Sequence, residues 1–269
     1  TEKMDGWKGG RFHVSGLWIH GSEPNDRGDI AGMTGNAYLD PSNISAFDTY
    51  RLRELWFEQM FLDDKLSIRV GQIGLDEEFV CSEYACLFFN GTCGWPAFLS
   101  ATVPSGGSAY PVAATGVRML VKPIESLDLM AAVVEGDVGE QSTVNRHGMQ
   151  FRIDEDEGTF SIYEVVYRFN QEKDAGGLPG ACKLGGWYHS GQFDDLSVDA
   201  QGISLAEVNG IPLTHRGNGG VYLNIDQMLF REKAGADEGL GSYARVAPWL
   251  PTDRNPVDFY VAGGLVYKG

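Results

Sequence analysis

Residues 50–72, YRLRELWFEQMFLDDKLSIRVGQ, read as two β-strands joined by a tight turn at Leu62, Asp63 and Asp64. Alternate side chains of a strand point to opposite faces of a sheet. One face of the first strand is aliphatic and aromatic and the other is mostly acidic, with Leu55, Phe57 and Phe61 opposed to Glu54, Trp56 and Glu58. The second strand repeats this division, with Leu66, Ile68 and Val70 opposed to Lys65, Ser67 and Arg69. The hairpin therefore predicts a sheet with one apolar face and one face that carries both charge signs.

The rest of the chain repeats such strands, and its connections alternate in length. The candidate strands cover residues 11–19, 50–61, 65–72, 117–122, 127–135, 159–169, 182–190, 221–229, 242–247 and 257–268, and residues 191–219 read as a long polar loop. Long and short connections follow each other in turn along the chain. A soluble sandwich has no reason for this order, whereas a transmembrane barrel has short turns on one side of the membrane and long loops on the other. The pattern predicts an all-β, antiparallel transmembrane barrel.

Composition agrees with this class and excludes others. The 36 glycines against 11 prolines suit many turns and close backbone contacts better than helices. No stretch approaches the roughly 18 to 20 apolar residues of a spanning helix. The net charge of −16 argues against nucleic acid as a partner, because binding to phosphates needs a basic surface.

Three of the four cysteines, Cys81, Cys86 and Cys93, lie close together in the sequence. We interpret them as candidates for a loop-closing disulfide whose pairing the spacing does not settle, with a zinc site as the weaker alternative because no histidine lies nearby. The acidic run at residues 154–157 lacks the spacing of a calcium loop. We therefore predict neither a metal site nor a cofactor.

Residues 76–116 form a long connection without strand periodicity. It contains an acidic run at 76–78 and several aromatic residues, among them Trp95 and Tyr110. Loops of this length are usually functional or disordered. This one has too many apolar residues for a disordered segment, so we expect it to fold against the rest of the protein.

Five segments in order resemble the carbohydrate-selective outer-membrane porin family. They are RLRELWFEQMFLDDKLSIRVGQIGLDEEF, FNGTCGWP with PSGGSAYP, LPGACKLGGWYHSGQFDD, HRGNGGVYLNIDQMLFRE and DRNPVDFYVAGGLVYKG. The resemblance covers residues 12–269. It implies one barrel domain over residues 1–269, part of a longer chain of roughly sixteen antiparallel strands. It also implies a water-filled lumen in the outer membrane that is narrowed by inward-folded loops and admits sugars by diffusion.

On this interpretation the polar faces of the strands line the lumen. The candidate residues that line the pore on the strands are Glu54, Glu58, Arg69, Arg118, Glu164, Arg168, Trp187 and His189, and the set extends to Lys183, Tyr222, Asn224, Asp226 and Arg245. Carboxylates accept hydrogen bonds from sugar hydroxyls and guanidinium groups donate to them. The resemblance places the constriction in residues 76–116, with Trp95 and Tyr110 as stacking residues opposite Arg69 and Arg118.

The expected partners are mono- and small oligosaccharides together with lipid and lipopolysaccharide of the outer membrane, and a homo-oligomer is left open. Two alternatives stand beside the porin. One is a structural or docking outer-membrane barrel, and the other is a secreted carbohydrate-active enzyme. Glu54 and Glu58 lie about 13 Å apart along one strand, which is too far for a glycosidase pair, and Asp194 and Asp195 are adjacent in a polar segment. We therefore predict that the chain is not an enzyme.

Overall fold

A computed structural model describes residues 8–20, 42–44, 46–139, 144–151, 153–154, 156–172, 176–233 and 236–269. Within these ranges ten strands form one antiparallel sheet in which each strand pairs with its neighbours in sequence. The strands are β1 (Gly10–Ile19), β2 (Thr49–Phe61), β3 (Leu66–Ile73), β4 (Ala114–Ile124), β5 (Leu127–Glu135), β6 (Thr159–Phe169), β7 (Gly180–Asp199), β8 (Pro212–Arg231), β9 (Gly239–Ala247) and β10 (Tyr260–Lys268). The prediction of an all-β antiparallel fold is confirmed.

The prediction of a long loop over residues 191–219 is wrong. β7 and β8 extend through most of this segment, with Gln192 opposite Arg216 and Phe193 opposite His215. The segment is polar on both faces, so its composition resembles that of a loop. Its burial nevertheless alternates from residue to residue, which is the signature of a strand.

The two faces of the sheet have opposite chemistry. We call the face that carries Glu58 and Arg118 the inner face and the opposite one the outer face. Large apolar side chains are exposed on the outer face, among them Phe12, Val14, Trp18, Val70, Val117, Val133, Tyr163, Val165, Leu184, Val221, Val261 and Leu265. Buried polar side chains lie on the inner face, among them Glu54, Glu58, Ser67, Arg118, Glu164, Asn224, Asp226 and Arg245. This arrangement is the reverse of a soluble protein and is typical of a barrel in lipid.

Residues 74–113, between β3 and β4, form the inner loop. It consists of short helical turns at Leu75–Glu77, Ala85–Leu87, Gly91–Gly94, Ala97–Ser100 and Pro104–Gly106. Its apolar residues, including Leu75, Phe79, Phe98, Leu99 and Val103, share one buried cluster with inner-face residues such as Ala132, Ile162, Trp187 and Tyr222. The sheet therefore curves around this loop. None of the helices in the described ranges is both long and apolar enough to cross a bilayer.

Candidate functional site

Four charged residues meet on the inner face where β2, β3 and β4 run side by side. Glu58 lies opposite Arg69, and Arg69 lies opposite Arg118. Arg118 Nη2 is 2.9 Å from Glu58 Oε1, and Arg69 Nη2 is 3.4 Å from the same oxygen. Glu78 of the inner loop completes the group, since its carboxylate contacts Arg69 and lies 2.5 Å from Arg118 Nε. We call Glu58, Arg69, Arg118 and Glu78 the charge cluster.

An indole borders the charge cluster. The Arg69 guanidinium lies over the ring of Trp56, 3.7 Å from its centroid, and the ring of His13 stacks on the same indole at 4.7 Å. A cation over an indole is attracted to the negative face of the ring. This corner of the inner face therefore presents carboxylates, guanidinium groups and an aromatic surface together.

A second set of inner-face groups holds the inner loop in place. Glu164 Oε2 accepts hydrogen bonds from the Val80 amide at 2.9 Å and from the Tyr222 hydroxyl at 2.7 Å. Arg245 donates to the carbonyl oxygens of Val80 at 2.8 Å and Thr92 at 3.2 Å. These side chains satisfy loop backbone groups that would otherwise be buried without partners.

Further anchors lie along the same part of the wall. Asn224 Nδ2 donates to the Cys81 carbonyl at 2.8 Å, and Lys183 donates to the same oxygen. Asp226 accepts from the Ser82 hydroxyl and, at 3.3 Å, from the Glu83 amide. Polar groups on β6, β7, β8 and β9 thus bind one short stretch of the loop backbone.

The beginning of the inner loop is fixed by acidic groups and a guanidinium. Glu54 Oε1 accepts from the Gly74 amide at 3.0 Å, and Arg53 lies 3.3 Å from Asp76. Asp76 Oδ2 also accepts from the Tyr110 amide at 2.8 Å. Burial raises the pKa of the Asp76 carboxyl to about 6, against the opposing effects of Arg53 and this amide. The net charge of the inner loop therefore changes near pH 6.

The Glu164–Tyr222 contact depends on a glycine. A Cβ added to Gly185 would lie 2.1 Å from Tyr222 Cζ, whereas at Gly186 the nearest atom would be 3.4 Å away. We expect Gly185→Ala to displace the phenol and to lower the free energy of unfolding by about 1–3 kcal/mol. Gly186→Ala is the matched control and should have little effect. Urea unfolding of both variants in lipid vesicles measures the difference, and equal costs would contradict this account.

The structure places Trp95 and Tyr110 against groups other than Arg69 and Arg118. Trp95 is buried within the inner loop and its indole N–H donates to the Gly106 carbonyl at 2.9 Å. Tyr110 lies beneath Arg53, whose guanidinium carbon is 5.6 Å from the ring centroid, instead of opposite Arg69 and Arg118. A loop without periodicity gives no information on where its side chains point, and both rings are used in packing the loop.

The remaining predicted pore residues are distributed over the inner face. Trp187 is buried against the inner loop, and His189 Nε2 lies 2.8 Å from the Gly136 carbonyl near the long-loop end of the sheet. Arg168 pairs with Asp128 at 2.8 Å and is partly exposed. The structure therefore brings Glu58, Arg69 and Arg118 together, places Glu54, Glu164 and Trp187 under the inner loop, and separates these from Arg168 and His189.

A polar cleft opens beside Arg168. Its volume is about 350 Å³, and its lining includes Glu83, Lys183, Asp226 and Arg231. It lies at the end of the strands where the connections are short. Both charge signs face it, so it offers hydrogen-bond donors and acceptors at one place.

Glu78 was missed by sequence reasoning, although it completes the charge cluster. The available signal was the acidic run at 76–78, directly after a strand whose inner face carries Arg69. Because a buried guanidinium group needs a compensating charge, an acid in the following loop was a candidate partner for Arg69.

The structure does not contain the predicted disulfide, since Cys81, Cys86, Cys93 and Cys182 are free thiols in it. Cys81 lies against the Asp76 carbonyl at 3.3 Å, Cys86 against the Glu83 carbonyl, and Cys93 against the Tyr243 hydroxyl at 3.7 Å. Each thiol therefore points to a different neighbour. Burial raises the pKa of the Cys81 thiol to about 12.

Comparison with known proteins agrees with this architecture. The family model described as carbohydrate-selective porin, OprB family, matches residues 1–269. Porin B of Pseudomonas aeruginosa is 25% identical over 275 residues, which cover 100% of this chain and 57% of Porin B. The high-pH structure of Pseudomonas putida OprB has a TM-score of 0.85 and 20% identity over 100% of this chain and 61% of that one. The chain thus spans about three fifths of the length of these relatives. The predictions of family, fold class and outer-membrane location are confirmed, and the chain belongs to the carbohydrate-selective porin OprB family.

Proposed function

We propose that the inner face lines a channel through which mono- and small oligosaccharides diffuse passively across the outer membrane. The observation that carries the proposal is the charge cluster with its adjoining indole. A sugar ring presents hydroxyls around its edge and C–H groups on its faces. Carboxylates accept from these hydroxyls and guanidinium groups donate to them, so the charge cluster matches the edge of the ring.

The charge cluster also suits a solute that must leave again. Its two carboxylates and two guanidinium groups already pair with each other, so a passing hydroxyl replaces only part of an existing contact. Conduction requires binding that is favourable enough for entry and weak enough for release. The polar cleft beside Arg168 also carries carboxylates and cationic groups, so it offers a second position at which a sugar in the channel could form hydrogen bonds.

The acidic pairs that could suggest a glycosidase have other roles. Glu54 is bound to the first amide of the inner loop, and Glu58 is bound to Arg118 and to the Ser67 hydroxyl. Asp195 lies 2.7 Å from His215. We propose that the protein is a channel without catalytic activity, in contact with lipid and lipopolysaccharide over its outer face.

Block of single-channel current by sugar tests the proposal. We expect glucose added to the full-length porin in a planar bilayer to reduce the current in a concentration-dependent manner. Arg69→Gln should weaken this block at least about tenfold, because a hydrogen bond to a charged group contributes about 1.5–3 kcal/mol. Arg216→Gln, at an exposed position on β8, is the control and should leave the block unchanged. A current that no sugar reduces would contradict the proposal.

A further inference from the structure

Asp195, His215 and Asp253 form a cluster outside the charge cluster, toward the long-loop end of the sheet. Asp195 lies on β7, His215 on β8, and Asp253 in the connection between β9 and β10. His215 Nε2 is 2.7 Å from Asp195 Oδ2 and 3.6 Å from Asp253 Oδ2. One ligand atom from each residue lies within 4.8 Å of the other two.

We propose that these three residues bind a divalent transition-metal ion, with Zn²⁺ as the best match. One imidazole and two carboxylates form a donor set that such ions accept. Ligand atoms of a tetrahedral zinc site lie about 3.3 Å apart, and the observed separations of 2.7 and 3.6 Å from Nε2 bracket this value. Ca²⁺ and Mg²⁺ prefer oxygen ligands alone, so the imidazole selects against them.

Hydrogen bonds from neighbouring backbone amides orient the Asp195 carboxylate toward the proposed metal position. Asp195 Oδ1 accepts from the amides of Ser197 at 2.8 Å and Val198 at 2.9 Å, which leaves Oδ2 directed at His215. Metal-binding carboxylates are commonly held by such additional hydrogen bonds.

Asp253 is oriented by its neighbour Arg254. Arg254 Nε lies 2.8 Å from Asp253 Oδ1, and Nη2 lies 2.9 Å from Oδ2. A carboxylate oxygen has two acceptor positions, so Oδ2 keeps one for the metal.

The backbone around the cluster is fixed by contacts that do not involve the three ligands' side chains. The Leu196 amide donates to the Asp253 carbonyl at 2.8 Å, and Arg254 Nη1 donates to the Gly217 carbonyl at 2.7 Å. Asn218 and Asn255 exchange hydrogen bonds at 2.7 and 3.2 Å. A metal at this position would thus join a preformed arrangement and would link the β9–β10 connection to the β7–β8 hairpin.

Equilibrium dialysis of the full-length protein in detergent against ZnCl₂, with the bound metal measured by atomic absorption, tests the proposal. We expect one Zn²⁺ per chain, and at least tenfold weaker binding in His215→Ala and in Asp253→Asn. His147→Ala is the control, because His147 lies apart in the β5–β6 connection and contacts the Tyr50 carbonyl. It should bind Zn²⁺ as the unmodified protein does.

Three outcomes would overturn the proposal. The first is that the unmodified protein binds no more Zn²⁺ than His215→Ala, which would leave an ion-paired histidine as the role of the cluster. The second is that His147→Ala loses as much affinity as His215→Ala. The third is equal binding of Ca²⁺. Heat-modifiable migration on a gel verifies that each variant is folded, and Asp253→Asn, which keeps the shape of the side chain, decides the matter if His215→Ala does not fold.

Discussion

Arg118→Ala is expected to lower the free energy of unfolding by about 3–5 kcal/mol, because it leaves the two carboxylates of the charge cluster with Arg69 as the one remaining guanidinium of that cluster. The Arg118 side chain is only 3% exposed. It binds Glu58 at 2.9 Å, the Ser67 hydroxyl at 2.7 Å and Glu78 at 2.5 Å. Urea unfolding of the full-length porin in lipid vesicles measures this loss.

Two further variants identify the cause of this loss. Arg216→Ala removes a guanidinium that is exposed on β8 and should change stability by less than about 0.5 kcal/mol. Adding Glu58→Gln to Arg118→Ala removes the one carboxylate charge that Arg69 leaves unbalanced in the cluster, so the double variant should be more stable than Arg118→Ala alone. If the second substitution lowers stability further, unpaired charge is not the cause.

Phe98→Ala is expected to loosen the inner loop and to raise the single-channel conductance. Phe98 is fully buried, and its ring lies 5.8 Å from that of Tyr222 and 5.4 Å from that of Tyr260. Loss of a buried phenyl ring costs about 3–5 kcal/mol through lost burial and the cavity left behind. This cost falls on the packing between the inner loop and the sheet, so the loop should open before the barrel unfolds.

Phe89→Ala provides a control within the same loop. Phe89 is 82% exposed, so its removal should change neither stability nor conductance. Planar-bilayer recording of both variants measures whether the conductance rises in Phe98→Ala and stays unchanged in Phe89→Ala. If Phe98→Ala conducts like the unmodified channel, the inner loop does not limit the current.

The strands and their faces were predictable because a strand has a fixed period of two. Glu54 and Glu58 fall on the same side as Trp56, and the structure buries all three on the inner face. Alternation of polarity did not reveal the strands at the long-loop end of the β7–β8 hairpin, because both faces of the sheet are polar there. Alternation of polarity is visible only where the two sides of a sheet meet different environments.

The contacts of the inner loop could not be predicted in the same way. Trp95 and Tyr110 lie in a segment without periodicity, so the sequence identified their chemistry and not their direction. Their rings pack the loop, while Glu78 reaches the charge cluster. The proposed metal cluster was invisible for a related reason, since Asp195, His215 and Asp253 come from three separate parts of the chain.

The anchoring of the inner loop has a consequence for how the protein folds. The Val80 amide donates a hydrogen bond to Glu164 and the Val80 carbonyl accepts one from Arg245, and these two residues follow Val80 by 84 and 165 positions. Contacts between such distant residues form only after the intervening chain has been ordered, and they slow folding. We therefore expect the strands up to β9 to assemble before the inner loop settles against them, so the contacts between this loop and the sheet form last.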